Sequence, residues 1–479
     1  MMSKSSRKLS KRPAVDAEKK PMDLIRPISR YLIIPLMRLK NRSTDYKYLD
    51  EAERAQYMPP EAITALQLKR LKAMLSHARA NCPYYARKFA EAGFDPEQVT
   101  TLEDIRRVPI LTKADIQQNR DDMLATNIPR EELVANQTGG STGAPLRFFM
   151  SEDSVYRRIA NTIRHDRWAG LEPYDKGAAI WGHRRDLNTP RSFMDKLRET
   201  FFSRRVILDT SHITDAKLAE FVERLNREKP STYVAYANAV YLIARYIHQA
   251  GLTDYHRPKS VVTSAEVLTD EQREVIEEVF GCPVFNRYGC REFSVIASEC
   301  EAHSGLHIAA DTLYVEIVRD NQPCQPGELG QIVVTDLHNV GMPFIRYRIE
   351  DMGMLLDQTC SCGRTLPMMD IVGGRVTDFL VTPEGSVVSG AAMTIYFIAR
   401  VPGITQAQLV QTAVDRLTLR LAVDEAFGQE SKQMIEDSVR QFFGPDMHYE
   451  IEQVDSIPVE ASGKYRFSIS EIDPVAHLK

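Results

Sequence analysis

No stretch of the chain reaches the roughly 20 consecutive apolar residues that a membrane-spanning helix requires. The most apolar early run, Tyr31 to Met37, is far shorter. The opening segment MMSKSSRKLSKRPAVDAEKK is basic and lacks the apolar core of a secretory signal. Disulfides are not expected either. The seven cysteines are an odd number, unevenly spaced, with no secretory signal, which points to a reducing, cytoplasmic setting. Neither sign of charge dominates: the formal net charge is −4. With no base-reading motif present, nucleic acid is not an expected partner. There is no internal repeat, and no low-complexity stretch beyond the amino terminus.

The 479 residues suffice for two or three domains, and the hydrophobic content of 43% suits a globular fold. Residues 1–45 read as a basic, flexible arm. Within it, PISRYLIIPLMRLKNR reads as a helix packed on the protein's own body. Its flanking Arg30, Arg38, Lys40 and Arg42 also suit a peripheral contact with anionic lipid. Helical spacing follows over PPEAITALQLKRLKAMLSHARANC, where Ile63, Leu66, Leu71, Leu75 and Ala78 share a face. From about Val134, strand-like runs (GAAIWG, RVILD, STYVAY, KSVVTSA, PVFNRYG) alternate with helical ones. That alternation predicts an α/β fold: a large domain of layered, mostly parallel sheets with helices, spanning 46–374. The runs TLYVEIVR and GELGQIVVTDL predict antiparallel strands at its end. After a hinge at 375–378, residues 379–479 read as a small, mobile α+β domain.

The stretch VANQTGGSTGAPLRFF, Val134 to Phe149, is where chemistry first shows. Glycines let backbone N–H groups approach an anion, and Ser141 and Thr142 add hydroxyl donors. The loop lacks the lysine of a Walker motif, and LRFF reads as a strand. A Gly-rich hairpin turn explains it equally well. A second group comprises Cys300, His303 and His307 in CEAHSGLHI, with Cys360 and Cys362 in CSCGR. Two cysteines one residue apart, joined by a Cys and a His from a distant segment, suit a closed tetrahedral zinc site. Cys82, Cys282, Cys290 and Cys324 are isolated and read as small packed residues.

Four more stretches stand in order after the glycine loop: NRYGCREF, IRYRIEDMG, GGRVTDF and SIPVEASGKYRFSI. Together with QTGGSTGAPL they resemble, in order and spacing, the adenylate-forming superfamily. The chain most resembles its phenylacetate–coenzyme A ligase family. VTPEGSVVSG and ASGKYRFSIS look most like that family's capsule-biosynthesis branch. The resemblance covers about residues 50–475.

The resemblance implies an ATP- and Mg²⁺-dependent ligase that converts a carboxylate to an acyl-adenylate. It implies that Thr138, Gly139, Gly140, Ser141, Thr142 and Gly143 cradle phosphate. Glu292 would hold Mg²⁺, with Tyr288 and Gly289 before it. Ala265 and Glu266 would lie against adenine, and Asp351 would accept the ribose hydroxyls. Arg375 would serve the ribose and phosphate, and Lys464 would bridge carboxylate and α-phosphate. Trp181 and Tyr236, with Tyr288, are placed by position as pocket aromatics. Some relatives carry structural zinc. Because a His in GLHI accompanies CxC in them, the implied ligands are Cys300, His307, Cys360 and Cys362, with His303 the rival fourth.

The chain departs from the pattern at three places. Thr377, followed by Asp378, stands where many relatives have Asp or Lys. Glu350 stands where TGD has its glycine. No basic, Gly-containing loop follows the hinge. The acyl acceptor is therefore open among coenzyme A, a carrier-protein thiol, and a sugar amine or hydroxyl.

Overall fold

The computed structural model describes residues 23, 25–40, 45–138, 146–181, 204–210, 215–375, 379–384, 387–389, 393, 397, 400–458, 466 and 468–472. The glycine loop at 139–145, the stretch 376–378 and Lys464 lie outside the described residues.

The helix Pro60–Asn81 starts on a proline that needs no N–H partner in the first turn. It buries Ile63, Leu71, Leu75 and Ala78 as the spacing predicts. Leu66 stays half-exposed, and Gln67 is buried instead, its amide donating to the Leu313 carbonyl at 2.9 Å. Capping boxes at Thr101 and Thr112 start the two short helices Leu102–Arg107 and Lys113–Asn119.

A two-stranded hairpin follows, β1 (Val134–Gln137) with β2 (Arg147–Met150). The body is a single twelve-stranded sheet. Its parallel half contains β3 (Gly177–Trp181), β4 (Arg205–Asp209), β5 (Thr232–Tyr236), β6 (Ser260–Ser264) and β7 (Val284–Cys290), side by side in the order β4-β3-β5-β6-β7. The amphipathic helices Asp215–Glu228, Ala237–Gln249 and Asp270–Phe280 make the crossovers. Buried Phe221, Val240, Ile243, Ile276 and Phe280 share a core with the strands' Ile180, Leu208, Tyr233 and Val261.

Beyond β7 the same sheet turns antiparallel. It continues through β8 (Ser294–Glu299), β9 (Leu306–Ile308), β10 (Leu313–Arg319), β11 (Gln322–Pro323), β12 (Gly330–Asp336), β13 (Tyr347–Leu356) and β14 (Met368–Arg375), in the order β7-β8-β9-β14-β13-β12-β10-β11. This half packs against the helix Pro60–Asn81 in one continuous core.

The carboxyl-terminal region has its own core. A hairpin of β15 (Phe379–Val381) and β16 (Val387–Ser389) precedes β17 (Ile404–Ala413), β18 (Arg416–Val423), β19 (His448–Gln453) and β20 (Ser468–Ser470). The last four form a sheet in the order β19-β18-β17-β20. The helix Gln429–Phe443 buries Ile435, Val439 and Phe443 in a cluster with Leu409, Leu419 and Leu421.

Candidate active site

The parallel strands end in register. Trp181 pairs with Asp209, Tyr236 with Ser264, and Ser264 with Arg287. The carboxyl edge of a parallel sheet is where open α/β folds bind ligands, because the following loops open a crevice there. Trp181, Tyr236, Ala265, Glu266 and Tyr288 all lie at or just past this edge. The rings of Trp181 and Tyr236 stand 4.3 Å apart. Glu266 accepts from the Asn238 N–H at 2.9 Å, at the start of the helix after β5. Ala265 sits at φ +68°, a left-handed conformation that a residue with a side chain adopts at a cost of about 1 kcal/mol or more. The sharp turn carries the chain out of β6.

The centre of the site is where the parallel and antiparallel halves meet. Tyr288, near the end of β7, donates its hydroxyl to Asp351 Oδ2 at 2.7 Å. Tyr347, the first residue of β13, donates to Glu292 Oε1 at 3.2 Å. Each motif's tyrosine thus holds the other motif's acid. YGCRE and YRIED are interlocked, although about sixty residues separate them. Arg375 is the residue directly opposite Asp351 in the β13–β14 register. Its backbone therefore brings the third motif to the same place.

Glu292 is 8% exposed. Burial pushes its carboxyl up, bonds from its own backbone N–H, Cys290 and Tyr347 pull it down, and the charge of Asp351 pushes it up again. A buried carboxylate facing a second carboxylate is a place that favours a divalent cation. Glu292 beside Asp351 is therefore a place where a divalent cation would fit. Burial, followed by the charge of Glu292, raises the Tyr347 hydroxyl far above its ordinary range, so it stays protonated and donates. Sequence reasoning missed Tyr347 and Cys290 as parts of this site. The tyrosine repeated before each acid was the signal that could have found the first.

Gly289 is required where it stands. A β-bulge separates Tyr288 from Gly289 in the β7–β8 pairing. A Cβ there would lie 2.2 Å from the Ser294 carbonyl oxygen, a backbone atom that cannot swing aside. Gly289→Ala is expected to destabilise the protein by about 2–4 kcal/mol and to lower activity by shifting Glu292. Thermal unfolding together with turnover checks this; an unchanged melting temperature would contradict it.

Of the glycine loop, the structure describes Thr138 and the two strands that carry it. The Thr138 N–H donates to the Leu146 carbonyl at 2.9 Å, and the Leu146 N–H donates to Thr138 Oγ1 at 3.0 Å. The loop therefore connects a closed hairpin. On β2, Phe148 packs on Phe344, which packs on Tyr347 at 5.3 Å. The base of the loop and the residue that holds Glu292 thus share one aromatic cluster.

Glu350 has φ +74°. The turn into Asp351 is left-handed, which accounts for the usual glycine at this position.

The cysteine group forms a second centre. Ligand atoms of Cys300, His307, Cys360 and Cys362 all lie within 4.8 Å of one another. Cys300 Sγ is 3.5 Å from Cys360 Sγ, and Cys362 Sγ is 3.4 Å from His307 Nε2. Tetrahedral zinc with metal–sulfur bonds of about 2.3 Å holds its ligand atoms roughly 3.5–3.8 Å apart. The N–H groups of Ala302 and Arg364, each two residues past a cysteine, donate to Cys300 and Cys362. His307 Nδ1 lies 3.3 Å from the Leu366 carbonyl, which orients the ring with Nε2 toward the sulfurs. Burial lowers the His307 pKa, favouring the neutral ring that can ligate. His303 is turned elsewhere: its Nδ1 is 3.2 Å from Glu299, and its ring stacks on Phe285.

Residues 380–471 match the CapK C-terminal domain family. Protein CapK of Staphylococcus aureus is 23% identical over 455 residues, covering 91% of this chain and 94% of that one. Phenylacetate-coenzyme A ligase of Escherichia coli (strain K12) is 30% identical over 332 residues, covering 67% of this chain and 73% of the relative. The chain belongs to the adenylate-forming acyl/aryl-CoA ligase superfamily. A 2-hydroxyisobutyryl-CoA ligase, solved in the postadenylation state with 2-HIB-AMP, has the same fold. Its TM-score is 0.70 at 22% identity, over 88% of this chain and 92% of that one. As in other members of the superfamily, a large α/β body precedes a smaller α+β region. Among the described residues, no helix is long and apolar enough to cross a membrane.

Proposed function

We propose that the protein activates a carboxylic acid with ATP and transfers the acyl group to a thiol, as a phenylacetate–coenzyme A ligase-like enzyme of the capsule-biosynthesis branch. The observation that carries this reading is the interlock of Tyr288 with Asp351 and of Tyr347 with Glu292, which supports one nucleotide site built from two motifs. A carboxylate oxygen attacks the α-phosphorus, and the bond to the β-phosphate oxygen breaks. The products are acyl-adenylate and pyrophosphate. A thiolate then attacks the acyl carbon, and AMP leaves.

Glu292 would hold Mg²⁺, and the ion would offset charge on the leaving pyrophosphate. Asp351 accepts the ribose hydroxyls, and Arg375, opposite it in register, serves ribose and phosphate. Ala265 and Glu266 lie along adenine. Trp181 and Tyr236 line the acyl end of the crevice, where apolar ring faces suit an aryl or acyl group. Residues 139–143 cradle phosphate, and Lys464 reaches in from the domain spanning 379–479 as that domain turns about 375–378. Cys300, His307, Cys360 and Cys362 would hold zinc, which would tie the segment after β8 to the loop before β14. The enzyme works in the cytoplasm, in peripheral contact with a membrane.

Coenzyme A is the first-choice acceptor. A carrier-protein thiol or a sugar amine or hydroxyl is the second reading, favoured by the match of residues 380–471 to the CapK C-terminal domain. Pyrophosphate release across aryl, short-acyl, long-acyl and amino acids tests the substrate class. Adding coenzyme A to the responding acid is expected to yield a thioester and free AMP. Acyl-adenylate that persists in the presence of coenzyme A would reject coenzyme A in favour of the second reading.

A further inference from the structure

The amino-terminal arm carries an apolar surface that the active site does not use. One helix runs from Ile25 to Lys40, with a π-helical turn at Ser29–Ile33. Pro35, which has no N–H to give, follows that turn, and the widened turn accommodates the gap in the ladder. One side of the helix is fixed to the body. Arg26 pairs with Asp175 at 2.6 Å, Asp23 pairs with Arg204, and the Arg30 guanidinium lies 5.0 Å from the Tyr174 ring. Ser29 is fully buried on that side. The other side is apolar and open: Ile28 is 44% exposed, Tyr31 71%, Leu32 55%, Leu36 55% and Leu39 78%. Spacings of three and four residues align them in one stripe. Ile25, Ile33 and Ile34 are half-buried, whereas Tyr31, Leu32, Leu36 and Leu39 stay exposed.

We propose that this stripe inserts into the headgroup region of an anionic bilayer, and that the helix is an in-plane anchor holding the active-site crevice away from the membrane. Charge selects lipid as the occupant. Arg38, Lys40 and Arg42 follow the stripe closely in sequence, and residues 1–20 carry seven Lys and Arg against two acidic residues. Tyr31, with Arg30 5.0 Å from its ring, has the mixed character of residues that settle at the lipid–water boundary.

Orientation follows from the latch. Tyr174, Asp175 and Arg204 immediately precede β3 and β4, so the helix sits at the amino edge of the parallel strands. Trp181, Tyr236 and Tyr288 are at the carboxyl edge. With the stripe in the bilayer, the crevice faces water. This orientation rests on the crevice being the active site; the lipid contact does not.

The test is flotation of the full chain with vesicles of phosphatidylcholine alone or with about one-third phosphatidylserine. Beside the wild type stands the triple variant Tyr31→Ser, Leu32→Ser, Leu36→Ser, whose changed side chains are exposed and leave the core intact. The wild type is expected to float with anionic vesicles and not with neutral ones. The triple variant is expected to lose at least tenfold in partitioning at an unchanged melting temperature. Pyrophosphate release is expected to continue undiminished on the vesicles. A wild type that ignores anionic vesicles, or a triple variant that binds them within twofold of it, would overturn the lipid contact. So would a concentration-dependent dimer that the variant abolishes, since the stripe would then belong to a second copy. Turnover silenced by vesicle binding would overturn the orientation. Absence of pyrophosphate release in any condition would count against the adenylation reading alone.

Discussion

Glu292→Gln, like Lys464→Ala, removes carboxylate-dependent pyrophosphate release by a factor of about 10³. The two act by different routes. Glutamine keeps the shape of Glu292 and can still accept from Tyr347, but it takes away the charge proposed to hold Mg²⁺ on the leaving group. Lys464→Ala leaves the metal site alone and takes away the cation expected between carboxylate and α-phosphate. The glutamine variant carries a second signature. Burial pushes the Glu292 carboxyl above its ordinary range, so folding penalises its ionised form. The stability tied to this carboxyl is fully present below its unfolded pKa and is lost as pH rises through the folded value. Glu292→Gln is therefore expected to raise the melting temperature of the ligand-free protein, more at pH 8 than at pH 5, while ATP with Mg²⁺ no longer stabilises it. Stability and activity trade against each other here. Thermal unfolding with and without ATP and Mg²⁺ checks this; a glutamine variant that keeps its turnover would remove Glu292 from the metal.

Cys360→Ser is expected to empty the second centre. Purified wild type should carry about one zinc per chain, and the variant a small fraction of that. Structural zinc contributes on the order of 10 kcal/mol in small domains. Even partial loss, in a cluster joining the segment after β8 to the loop before β14, should cost several kcal/mol. The centre lies under the main core: Cys300 and Cys360 are buried with Leu306, Leu366 and Met368. His303→Ala is the matched control. His303 bonds to Glu299 and stacks on Phe285, so its removal should leave zinc content unchanged. Zinc lost from His303→Ala and kept in Cys360→Ser would reverse the ligand assignment.

Much of this was legible in the sequence, for physical reasons. Parallel strands could be read because burial on both faces leaves continuous apolar runs, and the helices between them carry a clear period. The meeting of Cys300, His307, Cys360 and Cys362 could be read because CxC with a remote Cys and His suits a tetrahedral arrangement that few other roles need. What escaped was non-local. Nothing near Tyr347 states that its hydroxyl reaches Glu292, because that contact exists only once β13 and the end of β7 lie together in the sheet. The arm was read as a helix packed on the body, and it is latched there. Yet apolar spacing says only that a stripe exists, not which way it faces, and the ion pairs of Arg26 and Asp23 turn it outward. Gln67 taking the buried place beside Leu66 is a similar case, decided by an open carbonyl on Leu313.

The central claim is that the crevice at the carboxyl edge of the parallel strands makes an acyl-adenylate. Exchange of labelled pyrophosphate into ATP, with Mg²⁺ and a carboxylate but no acyl acceptor, tests it most directly because it reads the reverse of the first step alone. The predicted result is exchange that requires the carboxylate and disappears in Glu292→Gln. Exchange that is absent with every acid while ATP still binds, or that persists without any acid, would contradict it.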